Sequence, residues 1–137
     1  MGLLTALQLC RILGLLFGAT IRQDYSLGIE ITNFRNDRGY LMLQLLDEKE
    51  FPVKNRKVVI SGKTCVFKID TIPGGKYALR YFHDENLNGI LDMNSLGIPV
   101  EGYGFSNNAY GLFGPKPFRE WLFGIDSDLK LQLRIKY

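Results

Sequence analysis

Alternation of apolar and polar positions begins at Tyr25: Tyr25, Leu27, Ile29 and Ile31 point one way and Ser26, Gly28, Glu30 and Thr32 the other. A period of two marks a strand buried on one face. The turn formers Asn33, Asn36, Asp37 and Gly39 close that strand, and Leu41, Leu43 and Leu45 set a second one against the same core, which predicts a hairpin. Beyond the polar stretch Asp47 to Asn55, Val58 to Ile60 reads as a short strand, and Ser61-Gly62-Lys63 turns the chain into a strand around Cys65 to Ile69. Pro73-Gly74-Gly75 makes the next turn into Lys76 to His83, where Tyr77, Leu79 and Tyr81 share a face that Lys76 and Arg80 oppose. Phe118 to Trp121 reads as a short turn before a strand through Phe123 and Ile125. The clearest alternation is the last, Leu129, Leu131, Leu133, Ile135 and Tyr137 against Lys130, Gln132, Arg134 and Lys136.

Short strands joined by tight turns, with no amphipathic helix among them, predict an all-β fold: one antiparallel β-sandwich of about seven strands over residues 24–137. One segment breaks the pattern. Asp84 to Phe118 holds six Gly, five Asn and three Pro in 35 residues, with Tyr103, Phe105, Tyr110 and Phe113 spread through it. A Gly/Asn-rich loop of that length is functional or disordered in most compact domains, and the aromatic residues argue for order.

The length of 137 residues suits one domain, and 46% hydrophobic and 12% aromatic residues set the chain apart from disordered sequences. Its net charge of +3 includes Arg11 and Arg22; the remaining 15 Lys and Arg against 14 Asp and Glu leave +1 from Asp24 onward. A near-neutral domain lacks the basic face that nucleic acid requires. Met1 to Thr20 carries Arg11 as its sole charge, then the apolar run Ile12 to Ala19 and small residues at Gly18 to Thr20. This reads as a signal peptide, predicting export to the periplasm or beyond, with no membrane span after its removal. A spanning anchor needs about 20 apolar residues without a central Arg. Loss of residues 1–20 leaves Cys65 as the sole cysteine, a buried structural thiol that has no partner for an internal disulfide.

The strongest local pattern is Asp84-Glu85-Asn86-Leu87-Asn88-Gly89-Ile90-Leu91-Asp92, which reads D-x-N-x-N-G-x-x-D. In calcium loops of the EF-hand type, oxygens at positions one, three, five and nine and the carbonyl at seven converge on the ion, and Gly at six permits the turn. The candidate ligands are therefore Asp84, Asn86, Asn88, the Ile90 carbonyl and Asp92. Position twelve falls at Ser95, where a bidentate Glu belongs, so the last ligand is water or a distant residue such as Glu101, and affinity is modest. The competing reading is a metal-free turn, because Asn-Gly is a favoured hairpin turn and Asp and Asn cap their own backbone.

His83 is the single histidine. A hydrolase reading pairs it with Asp84, Glu101 or Ser106, but no nucleophile motif supports this, and a packed or turn-bonding histidine is the simpler expectation. Glu85, Asp92 and Glu101 carry a glycosidase reading no better, since such spacings are common. No catalytic residue is assigned. Tyr103 and Phe105 are the candidate partner-binding residues, able to stack on a glycan or fill a protein pocket; their alternative is to cover the open end of the sandwich.

The segment from Tyr77 to Phe118 resembles the bacterial family catalogued as domain of unknown function 2141. The residues that carry the likeness are Pro73-Gly74-Gly75-Lys76-Tyr77-Ala78, His83-Asp84-Glu85-Asn86, Asn88-Gly89, Leu96-Gly97-Ile98-Pro99, Glu101 to Asn108 and Phe113-Gly114. Lys116, between two prolines, departs from the pattern. The resemblance implies a small exported β-sandwich and supplies no activity, substrate or catalytic residue. The turn into Tyr77-Ala78 is also similar to prealbumin-like sandwich domains, some with calcium loops, so the sandwich is expected to be prealbumin-like or immunoglobulin-like. Together these observations predict an exported, non-enzymatic binding or structural module that meets a protein or glycan partner at the cell envelope.

Overall fold

The computed structural model describes residues 21–137; the predicted signal peptide, residues 1–20, lies outside them. The chain forms β1 (Asp24–Thr32), β2 (Tyr40–Asp47), β3 (Pro52–Val59), β4 (Thr64–Pro73), β5 (Gly75–Asp84), β6 (Tyr103–Phe105), β7 (Tyr110–Gly111), β8 (Gly114–Pro115), β9 (Phe123–Ile125) and β10 (Leu129–Arg134). Single 3-10 turns occupy Ser106–Asn108 and Phe118–Glu120. Among the described residues no helix is long and apolar enough to cross a membrane.

Two sheets face each other. One has the order β10-β1-β4; the other runs β3-β2-β5-β6, with β9 also pairing β5. Leu27, Ile29 and Ile31 of β1 and Cys65 and Ile69 of β4 meet Leu41, Leu43, Leu45, Leu79 and Tyr81 of the second sheet in one buried core. At about 25 cal/mol per Å² of apolar surface, this burial is the main source of stability. Cys65 lies inside it, and burial pushes its thiol up to about 12, as expected for a structural cysteine.

The alternating patterns correctly locate β1, β2, β4, β5 and β10, as well as the turn and short strand at Phe118–Ile125. Three features differ. First, β1 and β2 do not form a hairpin: β1 pairs with β4 and β10, and the chain crosses between sheets through Asn33 to Gly39. Their apolar faces meet across the core rather than lying edge to edge, and alternation is the same in both cases. Second, β1 and β10 run parallel, with Ile29 beside Leu131, in a sandwich whose other pairs are antiparallel. Third, β3 is eight residues long rather than a short strand at Val58 to Ile60. It is an edge strand bonded only to β2, so its exposed positions carry Asn55 and Lys57, and it lacks an apolar period. Lys54 turns inward there and donates from Nζ to the carbonyls of Asp70 (2.7 Å) and Thr71 (3.1 Å), closing the sandwich edge.

Ten strands thus replace the expected seven or so, because the Gly/Asn-rich segment contributes very short strands, β6 to β8, cut by Gly and Pro.

Candidate functional site: the pinned loop and the outer sheet face

The segment between β5 and β6 is held by two buried carboxylates, Asp84 and Glu101, which are 2% and 4% exposed. Asp84 Oδ1 accepts the Asn88 N–H at 3.1 Å and Oδ2 the Gly89 N–H at 3.0 Å. Leu87 (φ +67) and Gly89 (φ +77) both take the left-handed conformation in this turn. Glu101 accepts the N–H of Glu85 at 2.9 Å and of Asp92 at 3.2 Å, tying the two ends of the nine-residue motif together. Asn94 Oδ1 organises the next turn by accepting the N–H groups of Leu96 and Ile98.

Of the predicted calcium ligands, hydrogen bonds gather Asp84, Asn86, Asn88 and Asp92 in this turn. Asn86 and Asn88 both direct their amide Nδ2 at the Asp92 carboxylate, at 2.5 Å and 2.9 Å, so two N–H groups neutralise that carboxylate. The Oδ1 atoms of the same two amides accept the Asn88 and Ile90 N–H groups at 3.1 Å and 3.0 Å. Asp84, Asn86, Asn88, the Ile90 carbonyl and Asp92 carry the oxygen types that suit a hard cation such as calcium, and each of the side-chain oxygens among them already accepts a hydrogen bond. Among the described residues no three His, Cys, Asp or Glu side chains are grouped to hold an ion. Glu101, considered from sequence as a distant ligand, has both oxygens bonded to backbone N–H groups, as Asp84 does.

His83 is fully buried. Its Nε2 lies 2.6 Å from the Arg38 carbonyl, which can only accept, so Nε2 carries the proton and Nδ1 accepts the Tyr137 hydroxyl at 2.7 Å. That hydroxyl in turn accepts the Arg35 N–H at 3.1 Å. Ser106 Oγ accepts the Leu79 N–H at 2.9 Å and donates to the Trp121 carbonyl at 2.5 Å. The structure therefore gives His83 and Ser106 separate partners and joins neither to the other. Glu85 pairs with Arg35, which is stacked on the Tyr137 ring, and also accepts from Asn36 at 2.5 Å. The Arg35 and Asn36 hydrogen bonds hold the Glu85 carboxyl down at about 2, against the opposing effect of burial.

Tyr103 and Phe105 lie on the outer face of the five-stranded sheet. Phe105 stacks on Trp121 with ring centroids 4.2 Å apart, and Tyr103 meets Phe105 and Tyr110 edge-on. Gly104 between them points inward, where a Cβ would stand 2.3 Å from the Tyr81 ring, so glycine is what allows β6 to lie against that ring. Strand register places two rows side by side on the outer face: Asn55, Gln44, Arg80 and Phe105, and beside it Lys57, Met42, Phe82 and Tyr103. They floor a groove of about 730 Å³ that Gly89 and Leu91 of the pinned loop also line. Sequence reading identified the two aromatics but not the groove, since Met42, Gln44, Phe82 and Lys57 carry no signal until four strands are aligned.

No curated protein and no solved structure matches the chain. Residues 29–132, which include the pinned loop and the outer groove, match a family described as an uncharacterized protein conserved in bacteria, DUF2141. The chain belongs to the DUF2141 family.

Proposed function

We propose that this protein is an exported, non-enzymatic binding or structural module, whose segment from Asp84 to Phe118 is pinned by calcium and meets a partner at the cell envelope. The observation that carries this reading is order without burial. The loop is fixed by its own carboxylates, yet Leu96 in it is 81% exposed, and Leu112 and Phe113, in the turn between the paired β7 and β8, are 93% and 103% exposed. Apolar side chains held in water on an ordered backbone suit a docking surface. Tyr103 and Phe105, beside the loop in the outer groove, are the other partner-binding residues in this reading. The leader-like pattern of residues 1–20 supports export to the periplasm or the medium, where millimolar calcium would fill a modest site.

The test is thermal melting of the protein in chelator and then in about 5 mM calcium. A Kd of about 0.1 to 1 mM gives about 1 to 2 kcal/mol of stabilisation by linkage, equivalent to a rise of about 3 to 12 °C. Asp92→Asn, a half-buried change outside the backbone-holding pair, should lose the rise when its melts in calcium and in chelator are compared with each other. No rise, or an equal one with magnesium, would overturn the calcium part and leave the loop as a turn held by Asp84 and Glu101 alone.

A further inference from the structure

The outer groove has a chemistry of its own. Its floor runs from an apolar and aromatic wall at β6, made of Phe105 and Tyr103, over Met42 and Phe82, to a polar edge at β3 with Asn55 and Lys57. At about 4.8 Å between strands the four-strand row spans about 14 Å, and neighbouring rows lie about 7 Å apart. That floor, with a volume of about 730 Å³, matches a small ligand with one flat or extended apolar part.

Charge decides what else the ligand carries. Arg56, Lys57 and Arg80 line the groove, and no Asp or Glu does. Among the described residues none of these three cations has a carboxylate partner; the ion pairs are Arg35 and Arg38 with Glu85, Lys68 with Asp70, and Lys116 with Glu120. Arg80 is held in place by one hydrogen bond, Nε to Gln44 Oε1 at 2.7 Å. This fixes the guanidinium plane at mid-floor. Lys57 Nζ sits 4.1 Å above the Tyr40 ring at the polar end. In a domain whose total charge is close to zero, three cations without a carboxylate partner around one apolar floor make the groove locally positive.

We infer that this groove binds a small amphipathic anion, its apolar body lying over Met42, Phe82 and the β6 aromatics and its carboxylate or phosphate meeting Arg80 and Lys57. The anion places acceptor oxygens against a pre-positioned Arg fork, and its body covers half-buried rings that are otherwise wet. The inference rests on the reading of Tyr103 and Phe105 as binding residues and adds the chemical class of what they bind. Because Gly89 and Leu91 form one wall, the pinned loop and the groove share a boundary, and an occupied groove would favour the ordered loop.

Trp121, the single tryptophan, stacks on Phe105 and reports on the groove by its fluorescence. The probes are 4-tert-butylbenzoate and its neutral amide, with octanoate run alongside to tell a ring from a chain as the preferred body. The acid should bind at least about tenfold more tightly than the amide, weakening with added salt. Arg80→Gln and Lys57→Gln should each cost the acid about tenfold and leave the amide unchanged. Lys130→Gln, on the other sheet, should change neither. Equal binding of acid and amide would overturn the anionic ligand while leaving Tyr103 and Phe105 as a binding face. Binding of neither would overturn both readings. A concentration-dependent dimer that itself shifts Trp121 emission would assign the face to a second copy of the chain and overturn the inference.

Discussion

Glu85→Gln tests the electrostatics that lock the β1–β2 connection to the start of the loop. The Glu85 side chain is 10% exposed and pairs with Arg35, which is 48% exposed. Its carboxyl is held at about 2 against an ordinary 4.5, first by the Arg35 hydrogen bond and then by that from Asn36. At about 1.4 kcal/mol per pH unit, this sets a ceiling of about 3 kcal/mol for the stability tied to its ionisation. Water reaches the Arg35 half of the pair and screens it, so about 1 to 2 kcal/mol is the expected share. The folded value lies below the unfolded one, so this stability is complete above about pH 4.5 and is lost as pH falls through about 2. Urea unfolding of parent and variant from about pH 7 down to about pH 2 gives the comparison. The gap between their midpoints should be widest at neutral pH and close towards pH 2, with unchanged m. Subtracting the variant removes the titration of every other carboxylate from the comparison. A gap that is absent at neutral pH, or constant throughout, would refute the reasoning and reduce the pair to a solvated surface contact.

Two further perturbations probe the packing behind the site. Gly104→Ala would bring a Cβ to 2.3 Å from the buried Tyr81 ring, whose hydroxyl is held on the Arg134 carbonyl, and should cost about 2 to 3 kcal/mol in urea unfolding. Gly124→Ala, where a Cβ meets nothing within 4 Å, should stay within about 0.5 kcal/mol of the parent and serves as its control. Tyr137→Phe keeps the ring beneath Arg35 but leaves His83 Nδ1 buried without its donor, which should cost about 1 to 3 kcal/mol. A neutral result would mean that water replaces the lost hydroxyl at His83.

The sequence by itself determined the strands that bury one face, because burial writes a period of two into positions such as Leu27, Ile29, Ile31 and Leu79, Tyr81, His83. It also located the turn at Asn88-Gly89 and the oxygen-rich residues around it, since spacing within one loop is local. Which strands pair, and in which direction, was left open: Leu129 to Leu133 alternate identically whether β10 lies parallel to β1 or antiparallel to any neighbour. Edge position hid β3, whose exposed side has no core to record. The tertiary structure alone decided that Glu101 holds the N–H groups of Glu85 and Asp92, that His83 answers to Tyr137 and Arg38, and that Lys57, Met42, Phe82 and Tyr103 form one row. Those relations join residues far apart in the chain through hydrogen bonds and register, and neither leaves a periodic trace in composition or spacing.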